Sequence, residues 1–383
     1  MKILFITQCC EMYGANKSGI SLMLDLRKRY DAEVYTIMPP KIRNEKVETI
    51  DQILDREGMK YYCVKMDAWR TNFGKQNLAH IFYYIIRKQI RDRKIVKEIQ
   101  KNINFLPDII YSNSSVIDIG FLLACRMKAP HIWHVRESRE SHNLKYIYPN
   151  NVVRRRFAKS SAVIAISRYI ENECKKMRIR QVRCIYNGVE VCKPYEKKYY
   201  YNHKVNFVVS GVLNAPKRNQ DVIRAARVLV ERGYQNFHIY ILEDGEEKEE
   251  LAQMITELKL KEYVDLCGYI KNPQELLRKM DIGIVPSLYE AFGRVTIEYM
   301  MNYMAVIGND TGASPELIQG TEFGQIYGCG KVSELADCME GFLDMSASIR
   351  EKGIEARKKA EQFSLKRNTD KIYSLISELT RTK

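Results

Sequence analysis

The 383-residue sequence lacks a hydrophobic run long enough to cross a membrane, because its apolar stretches, such as 117–125, are short and interrupted by charge. Its ten cysteines show no CxxC or other metal-type spacing, and the adjacent Cys9 and Cys10 are poorly placed to pair, so we expect reduced thiols. The chain opens with Met1-Lys2 and runs straight into ILFIT, without the regions of a secretory signal. These absences predict a cytoplasmic protein.

Positive charge is unevenly distributed along the chain. Residues 1–200 contain 38 Lys and Arg against 20 Asp and Glu, a net +18, whereas residues 201–383 contain 24 against 27, a net −3. This asymmetry indicates that the first half meets an anionic partner, although a solubility charge is the alternative. No helix-turn-helix, RNP or zinc pattern supports a nucleic-acid-binding protein, so a membrane surface or a phosphorylated ligand is the better prediction.

Short apolar strands alternate with helical patterns along the whole chain, which predicts parallel sheets covered on both faces. The predicted strands of the first half are 2–7, 33–38, 61–64, 108–112, 131–135 and 162–166. Its clearest helical patterns are 18–30, 80–102 and 168–176. The predicted strands of the second half are 205–210, 237–242, 263–266, 282–285 and 305–307.

The alternation lapses into charge and tyrosine at KPYEKKYYYNHK, residues 193–204, which we interpret as a linker. The prediction is therefore α/β, with two tandem doubly wound Rossmann-like domains at 1–198 and 199–364, and a C-terminal helix at about 365–383 that packs back on the first domain. In open α/β sheets, ligands bind outside the carboxyl ends of the strands. Two such domains facing across a cleft would both touch a ligand held between them.

The stretch SLYEAFGRVTIEYM, residues 287–300, follows a predicted strand and enters a predicted helix near Gly293. The amides of Phe292, Gly293, Arg294 and Val295 would then lie at a helix N-terminus, which favours anions. Carboxylates accept hydrogen bonds from vicinal hydroxyls. A nucleotide sugar would satisfy both features, with the diphosphate on the amides and hydroxyls on Glu290 and Glu298. The alternative is that both acids only stabilise the helix N-terminus.

A second loop of this half, SGVLNAPKRNQ at 210–220, follows the predicted strand 205–210. It contains Gly211 and then Lys217-Arg218 at the start of a helix. A cation at that position would neutralise a departing diphosphate, whereas an ordinary solvated pair of charges is the alternative.

Taken in order, these segments resemble the retaining glycosyltransferases of family 4, the group 1 glycosyltransferases of the GT-B fold, of the type that assembles bacterial polysaccharides. The resemblance covers nearly the whole chain. It is strongest in DIGIVPSLYEAFGRVTIEYM, where two glutamates are separated by seven residues. The other matching segments are YVDLCGYIKNPQELLRKMD, TGASPELI, CIYNGVE, WHVRE and YGANKS.

The resemblance implies a role for each matched residue. Glu290 would contact the donor sugar and Glu298 the ribose, with Gly268 and Tyr269 beside the base. His134 would lie near the transferred sugar across the cleft. Further implied positions near the sugar and diphosphate are Gly14, Gly211, Phe292, Gly293, Arg294 and Val295.

The sequence departs from the family pattern at two loops. Val212 follows Gly211 where the family commonly has arginine, and Glu243 stands where a glycine is usual. The family's later Lys-Gly reads Arg218-Asn219 here, with Lys217 just before, so either cation would serve and we favour Arg218. These differences leave the nucleotide contacts open.

The implied reaction passes a sugar from a nucleoside diphosphate, more often UDP than GDP in this family, to an acceptor hydroxyl with retained configuration. It needs no metal or other cofactor if the helix amides and cations stabilise the leaving diphosphate. A non-catalytic nucleotide-sugar-binding subunit of a glycosyltransferase complex is the alternative function.

The first half is expected to bind a glycan or lipid-diphosphate-linked acceptor. Residues 80–102 form a predicted amphipathic helix with Arg87, Arg91, Lys94 and Lys101 on one face, and RRRFAK at 154–159 adds a second basic patch. This suits peripheral docking on the anionic inner face of the cell membrane. An ordinary helix covering the sheet is the alternative.

Overall fold

The structure, a computed structural model, describes residues 1–12, 14–41, 48–71, 78–138, 145–191, 193–197 and 204–381. It divides into two compact units, unit 1 at 1–188 with 365–383 and unit 2 at 189–364. The boundary therefore lies before the expected 198/199, because the described part of the expected linker packs within unit 2. Tyr195 donates through its hydroxyl to the Asn302 carbonyl at 3.1 Å, and the buried Lys197 ammonium donates to main-chain carbonyls, including that of Tyr303 at 3.3 Å.

Unit 1 is built on a seven-stranded parallel sheet in the order β3-β2-β1-β5-β6-β8-β9. Its strands are β1 (Lys2–Ile6), β2 (Glu33–Met38), β3 (Lys60–Cys63), β5 (Ile109–Ser112), β6 (His131–Val135), β8 (Ala162–Ala165) and β9 (Val182–Cys184). A two-residue antiparallel pair, β4 (Arg70–Thr71) and β7 (Lys145–Tyr146), lies apart from it. The strand order reverses between β1 and β5, which makes their carboxyl ends the expected ligand position.

Helices cover both faces of this sheet. They are α1 (Gly14–Tyr30), α2 (Ile50–Arg56), α3 (Leu78–Asn102), α4 (Ile119–Met127), α5 (Asn150–Ala158), α6 (Arg168–Lys176) and α14 (Leu365–Arg381). One apolar cluster joins the sheet to α1, α2 and α14, and another joins it to α3 and α4. The return of α14 to unit 1 includes stacked rings of Tyr30 and Tyr373, with centroids 3.7 Å apart.

Unit 2 repeats the doubly wound plan with six parallel strands in the order β12-β11-β10-β13-β14-β15. The strands are β10 (Val205–Ser210), β11 (Phe237–Leu242), β12 (Val264–Gly268), β13 (Ile282–Val285), β14 (Ala305–Asn309) and β15 (Gly324–Tyr327). Its helices are α7 (Asn219–Glu231), α8 (Lys248–Glu257), α9 (Gln274–Leu277), α10 (Arg294–Met301), α11 (Ser314–Ile318), α12 (Val332–Asp344) and α13 (Ile349–Ala360). Here the order reverses between β10 and β13.

The α/β prediction is confirmed, and the long strands have the expected places. Four strands were not predicted: β4, β7, β9 and β15. Each has two to four residues, and their large buried side chains are Arg70 of β4 and Tyr327 of β15. Within the described ranges, no helix has the length and apolar character needed to span a bilayer.

Candidate functional site

Two loops of unit 2 meet at the point where its strand order reverses. The first follows β10 and runs from Gly211 to Arg218, and the second follows β13 and runs from Pro286 to Gly293. The Leu288 amide donates to the Pro216 carbonyl at 2.8 Å, which ties the loops together. Neighbouring parallel strands place both loops at the same sheet edge, so residues distant in sequence become adjacent.

The Lys217 ammonium and the Glu290 carboxylate form an ion pair across this edge. Nζ of Lys217 lies 2.6 Å from Oε1 of Glu290, and the two residues are 73 positions apart in the chain. Their side chains are 30% and 15% exposed, so a ligand at the sheet edge can reach both. A cation beside a carboxylate provides one group for a phosphate and one for hydroxyls.

The main chain of Glu290 is held by the loop after β14. Its carbonyl accepts from the Ala313 amide at 2.8 Å. A Cβ atom at Gly312, which has φ +62°, would lie 2.6 Å from the Glu290 carbonyl oxygen, so only glycine permits this approach. Asn309 donates through Nδ2 to the Pro286 and Ser287 carbonyls at 2.8 and 2.9 Å. These contacts fix the position from which the Glu290 side chain projects.

Arg218 bonds to an acid on its own helix. Its guanidinium donates through Nε and Nη2 to the two carboxylate oxygens of Asp221, at 2.6 and 3.1 Å. Asp221 is buried, and its hydrogen bonds raise the pKa of the Arg218 guanidinium. The bidentate contact orients the guanidinium, which remains 27% exposed. Lys217 and Arg218, both predicted as candidate cations, therefore have different anchors.

Gly293 precedes the first residue of α10, as the sequence predicted. Its φ of +79° is in the left-handed region, and the buried Phe292 ring before it packs against Phe363 at 6.0 Å between centroids. The amides of Val295 and Thr296 belong to the first turn, where N–H groups have no acceptor within the helix. This turn supplies the partial positive charge of a helix N-terminus.

Glu298 lies one turn into α10, where its carboxylate is 3.2 Å from Nε of Arg294. The acid follows the base by four residues, which is the less stabilising order for a helical ion pair. Glu298 is 27% exposed. Helix stabilisation by this ion pair therefore explains little of why a glutamate lies at position 298.

Gly268 and Tyr269 lie at the carboxyl end of β12. Gly268 has φ +69°, its carbonyl accepts from the Glu243 amide at 2.9 Å, and the Tyr269 side chain is 59% exposed. Glu243 itself has φ +86°, a conformation that favours glycine. The glutamate therefore keeps the backbone shape of the glycine that the family pattern places there. A Cβ at Gly245 would lie 2.3 Å from the Leu213 carbonyl oxygen, so close packing of these two loops requires a glycine at this position.

In unit 1, His134 is fully buried near the end of β6. Its Nδ1 accepts from the Tyr111 hydroxyl and from Nη2 of Arg136, the latter at 3.1 Å. Because a guanidinium only donates, the ring proton is assigned to Nε2. Burial and the Arg136 charge hold the pKa of His134 well below its usual range. Nε2 is a buried N–H donor for which the described residues provide no acceptor.

Gly14 is the first residue of α1, and the preceding Tyr13 of the YGANKS segment lies outside the described residues. Two residues later, the buried Asn16 donates to the Cys9 and Glu11 carbonyls at 3.0 and 2.8 Å. Nδ2 of Asn113, after β5, donates to the Ala15 carbonyl at 3.3 Å. These bonds join the loop after β1 to the end of β5 where the strand order reverses.

Sequence reasoning missed the residues that position the predicted ones. Asn113, Arg136, Asn187 and Asp221 are all buried, and Arg136 donates to both asparagines and to His134. These residues could have been identified from their positions, because each follows a strand or lies in the first turn of a helix. Among the described residues, no cluster of three or more His, Cys, Asp or Glu side chains is arranged to hold a metal ion.

Two family models match the chain and together span most of it. The model described as glycosyl transferases group 1 matches residues 196–362, and that described as glycosyltransferase family 4 matches residues 54–192. The two matches correspond to most of unit 2 and much of unit 1.

Characterised relatives match over part of their length. N-acetyl-alpha-D-glucosaminyl L-malate synthase of Bacillus anthracis is 25% identical over 244 residues, 61% of this chain and 63% of that protein. N-acetylgalactosamine-N,N'-diacetylbacillosaminyl-diphospho-undecaprenol 4-alpha-N-acetylgalactosaminyltransferase of Campylobacter jejuni is 34% identical over 32% of this chain and 33% of that protein. The chain thus spans less than two thirds of either relative.

Among solved structures, that of Anabaena HepE in complex with UDP superposes with a TM-score of 0.77. It is 19% identical, and the alignment covers 99% of this chain and 100% of HepE. This likeness confirms the predicted GT-B fold class.

Proposed function

Because the chain belongs to the group 1 glycosyltransferases, we propose that it transfers a sugar from a nucleoside diphosphate to an acceptor hydroxyl with retention of configuration. The observation that carries this proposal is the Lys217–Glu290 ion pair, 2.6 Å long, at the strand-order reversal of unit 2. It brings together a cation that can bind a diphosphate and a carboxylate that can accept hydrogen bonds from sugar hydroxyls. UDP is the proposed nucleotide, and the HepE complex with UDP supports that choice.

The proposed chemistry depends on electrostatics. Negative charge grows on the leaving diphosphate as the bond to the sugar breaks, and Lys217, Arg218 and the first-turn amides of α10 stabilise it. No resident metal or cofactor is required in this proposal, because these groups supply the positive charge.

Glu290 is proposed to bind hydroxyls of the donor sugar rather than to attack its anomeric carbon. Its carboxylate is already bonded to Lys217, which reduces its nucleophilicity and leaves lone pairs for hydroxyl donors. The leaving phosphate would then take the proton of the acceptor hydroxyl. The hydroxyl attacks from the face of the sugar that the diphosphate leaves, so the configuration is retained. His134 is proposed to donate from Nε2 to the transferred sugar, and Glu298 to accept from the ribose.

The acceptor proposed for the chain is a glycan or a lipid-diphosphate-linked sugar of bacterial cell-surface polysaccharide synthesis. Support comes from the Campylobacter relative, whose name includes a diphospho-undecaprenol acceptor. Such an acceptor would place the protein in the cytoplasm, peripherally on the inner face of the cell membrane.

The test is release of UDP from a panel of UDP-sugars without added acceptor. We expect slow hydrolysis by the wild type and a loss of about ten- to a hundredfold in Glu290→Gln, because a charge-assisted hydrogen bond contributes about 1.5–3 kcal/mol. Thermal midpoints should agree, since the ion pair is partly exposed and contributes little to stability.

Glu262→Gln, an exposed acid of unit 2, is the matched control and should retain wild-type hydrolysis. Equal hydrolysis by Glu290→Gln and wild type would remove Glu290 from the site. UDP-sugar binding with no hydrolysis in any protein would instead favour a non-catalytic binding subunit.

A further inference from the structure

The first half of α3 exposes large apolar side chains. Phe82, Tyr83, Ile86 and Ile90 are 65%, 62%, 43% and 51% exposed. Exposed apolar residues are ordinary when scattered, but four within nine positions of one helix form a patch. The second half of the same helix buries its own apolar residues against the sheet, at Ile95, Val96 and Ile99. The exposure is therefore confined to one stretch of the helix.

Helical geometry places this patch in line with exposed cations. At 100° per residue, Phe82, Ile86 and Ile90 share a face with Arg93 and Lys97 of the following turns. We name Phe82, Tyr83, Ile86, Ile90, Arg93, Lys94 and Lys97 the α3 outer face. It is apolar over about 12 Å and cationic over the next turns of the helix.

The cations of this face differ from the buried charges of α3. Lys88 is buried, with Nζ 2.7 Å from carboxylate oxygens of both Asp92 and Asp118. Arg91 lies 2.6 Å from Asp67. Arg93, Lys94 and Lys97 have no ion-pair partner among the described residues. Arg91 of the predicted basic face (Arg87, Arg91, Lys94 and Lys101) is thus paired with Asp67. A membrane role for that face stays a prediction.

A groove beside the face has the same electrostatic character. It has a volume of about 770 Å³ between α3, α4 and α5. Its lining includes Arg93, Lys97, Arg126, Arg156, Val96, Leu122 and Tyr148, together with Asp92, whose carboxylate is paired with Lys88. Two of the groove cations have partners, since Arg156 pairs with Asp118 and Arg126 donates to Gln100. The other two, Arg93 and Lys97, are exposed and have no ion-pair partner among the described residues. The groove suits an anionic headgroup with apolar chains beside it.

We propose that the α3 outer face docks the protein on an anionic phospholipid bilayer. Phe82, Ile86 and Ile90 enter the boundary of the acyl chains, while Arg93, Lys94 and Lys97 contact the lipid phosphates. A second copy of the chain fits less well, because a two-fold contact through the apolar half leaves Arg93, Lys94 and Lys97 without an anionic partner. A bilayer surface offers apolar and anionic material side by side. Docking on a bilayer would bring the protein to a membrane-linked acceptor, and this role rests on the proposed function.

The first test measures co-sedimentation of the full chain with phosphatidylcholine vesicles that contain or lack phosphatidylglycerol. We expect binding to the anionic vesicles, and weaker binding in about 1 M salt, where the Debye length is about 3 Å. Arg93→Glu/Lys94→Glu/Lys97→Glu should partition about a hundredfold less, the scale expected for three bases at an anionic surface. Phe82→Ser/Ile86→Ser/Ile90→Ser should also bind more weakly, because it removes the apolar side chains that enter the bilayer.

Matched controls lie on unit 2. Lys261→Glu/Lys279→Glu/Arg350→Glu makes the same charge change at exposed positions, and Met345→Ser/Ile354→Ser removes exposed apolar side chains. Both should bind vesicles as the wild type does. Donor hydrolysis is measured on the same samples, so that loss of docking and loss of the proposed activity are distinguished.

A second test does not depend on loss of binding. The two tryptophans of the chain, Trp69 and Trp133, are buried, so Phe82→Trp adds an exposed reporter. Its emission should shift to shorter wavelength with anionic vesicles, whereas that of Met345→Trp should not.

Several outcomes would overturn the proposal: wild-type protein that ignores anionic vesicles, triple variants that bind equally well, or no shift in Phe82→Trp. A wild-type dimer that Phe82→Ser/Ile86→Ser/Ile90→Ser converts to a monomer, without vesicle binding, would assign the face to a second copy.

Discussion

Lys217 and Arg218 each face a carboxylate, and this pairing determines how strongly an anionic ligand must compete for them. The Lys217–Glu290 pair is partly exposed, and such pairs contribute about 0–1 kcal/mol. A charge-assisted bond to a phosphate contributes about 1.5–3 kcal/mol. Because an ammonium has three donors, Lys217 can bind a diphosphate oxygen while it keeps its bond to Glu290. Asp221 holds Arg218 by two hydrogen bonds and acts as its positioning residue.

Glu298→Ala should weaken binding of UDP itself by about tenfold or more, because the proposed ribose contact is a charge-assisted hydrogen bond. Titration calorimetry with UDP measures this. Glu231→Ala is the matched control, since Glu231 also follows its arginine, Arg227, by four residues in an ion pair of unit 2. Unchanged UDP affinity with a lower thermal midpoint in Glu298→Ala would instead assign this acid to helix stability.

His131 should make unit 1 sensitive to acid. Burial lowers the pKa of its imidazole to about 3. Between that value and the ordinary value of 6.5, the unfolded chain binds a proton that the folded chain does not, so stability falls as the pH falls. The free energy of unfolding should lose about 1.4 kcal/mol per pH unit from this residue within the window.

Urea unfolding of wild type and His131→Gln at several pH values isolates this contribution as the difference between the two slopes. His238→Gln is the control, because His238 lies on unit 2 and pairs with the half-exposed Asp265. Parallel pH dependence in wild type and His131→Gln would show that the imidazole does not account for the acid sensitivity.

At the scale of the element, the start of α10 depends on Gly293. An alanine there would adopt φ +79°, and its Cβ would lie 3.0 Å from Oγ1 of Thr296 and 3.2 Å from Leu317. We expect Gly293→Ala to lower the free energy of unfolding by about 1–3 kcal/mol and to weaken UDP binding, because the first-turn amides must shift. Chemical denaturation and calorimetry test the two effects.

Gly320→Ala separates backbone strain from close packing. Gly320 has φ +71°, but its Cβ would have no atom within 4 Å. It should therefore show the strain cost without an effect on UDP binding. If both variants bind UDP as the wild type does, the α10 N-terminus does not contact the ligand.

The elements with continuous apolar runs could be predicted from the sequence, and those without could not. The bounds of β2, β6, β10, β11 and β13 agree with the prediction because each contains an apolar run, and β6 and β13 are buried along their whole length. Val182–Cys184 exposes its central arginine and gives no apolar signal, so its strand depends on pairing with β8. Helix α1 begins four residues before the predicted start, since GANK is not a helical pattern.

The sequence predicted which residues are candidates for the site, but not which of them are in contact with each other. The strand-end rule and the family resemblance located Glu290, Lys217 and Gly293. No pattern in the sequence relates Lys217 to Glu290, because their contact requires β10 and β13 to be adjacent. The sequence favoured Arg218 as the diphosphate cation without foreseeing its contact with Asp221, and that assignment stays a prediction.

At the scale of the whole molecule, unit 1 is completed by a segment that follows unit 2 in sequence. Helix α14 brings Ile372, Leu375 and Ile376 into the same apolar cluster as α1. Asp370 is bonded to Arg29 and, at 2.6 Å, to the Tyr30 hydroxyl. The unit therefore depends on residues far from the rest of its sequence.

A chain ending at Ser364 should lose most of the stability of unit 1. Removal of a buried aliphatic side chain costs about 2–5 kcal/mol, and three such losses match the total stability of a typical domain. We expect poor solubility or a missing unfolding transition in calorimetry, whereas a chain ending at Arg381 should behave as the full chain. Two wild-type transitions in the shorter chain would contradict the role of α14.

The discontinuity of unit 1 also sets an order of events during synthesis on the ribosome. Domains usually fold as they emerge, the N-terminal one first. Here residues 189–364 are contiguous and can fold while the α1 face of the earlier unit still awaits its last helix. We expect the unit that begins the polypeptide to be the last to mature, and to need protection by chaperones until translation ends.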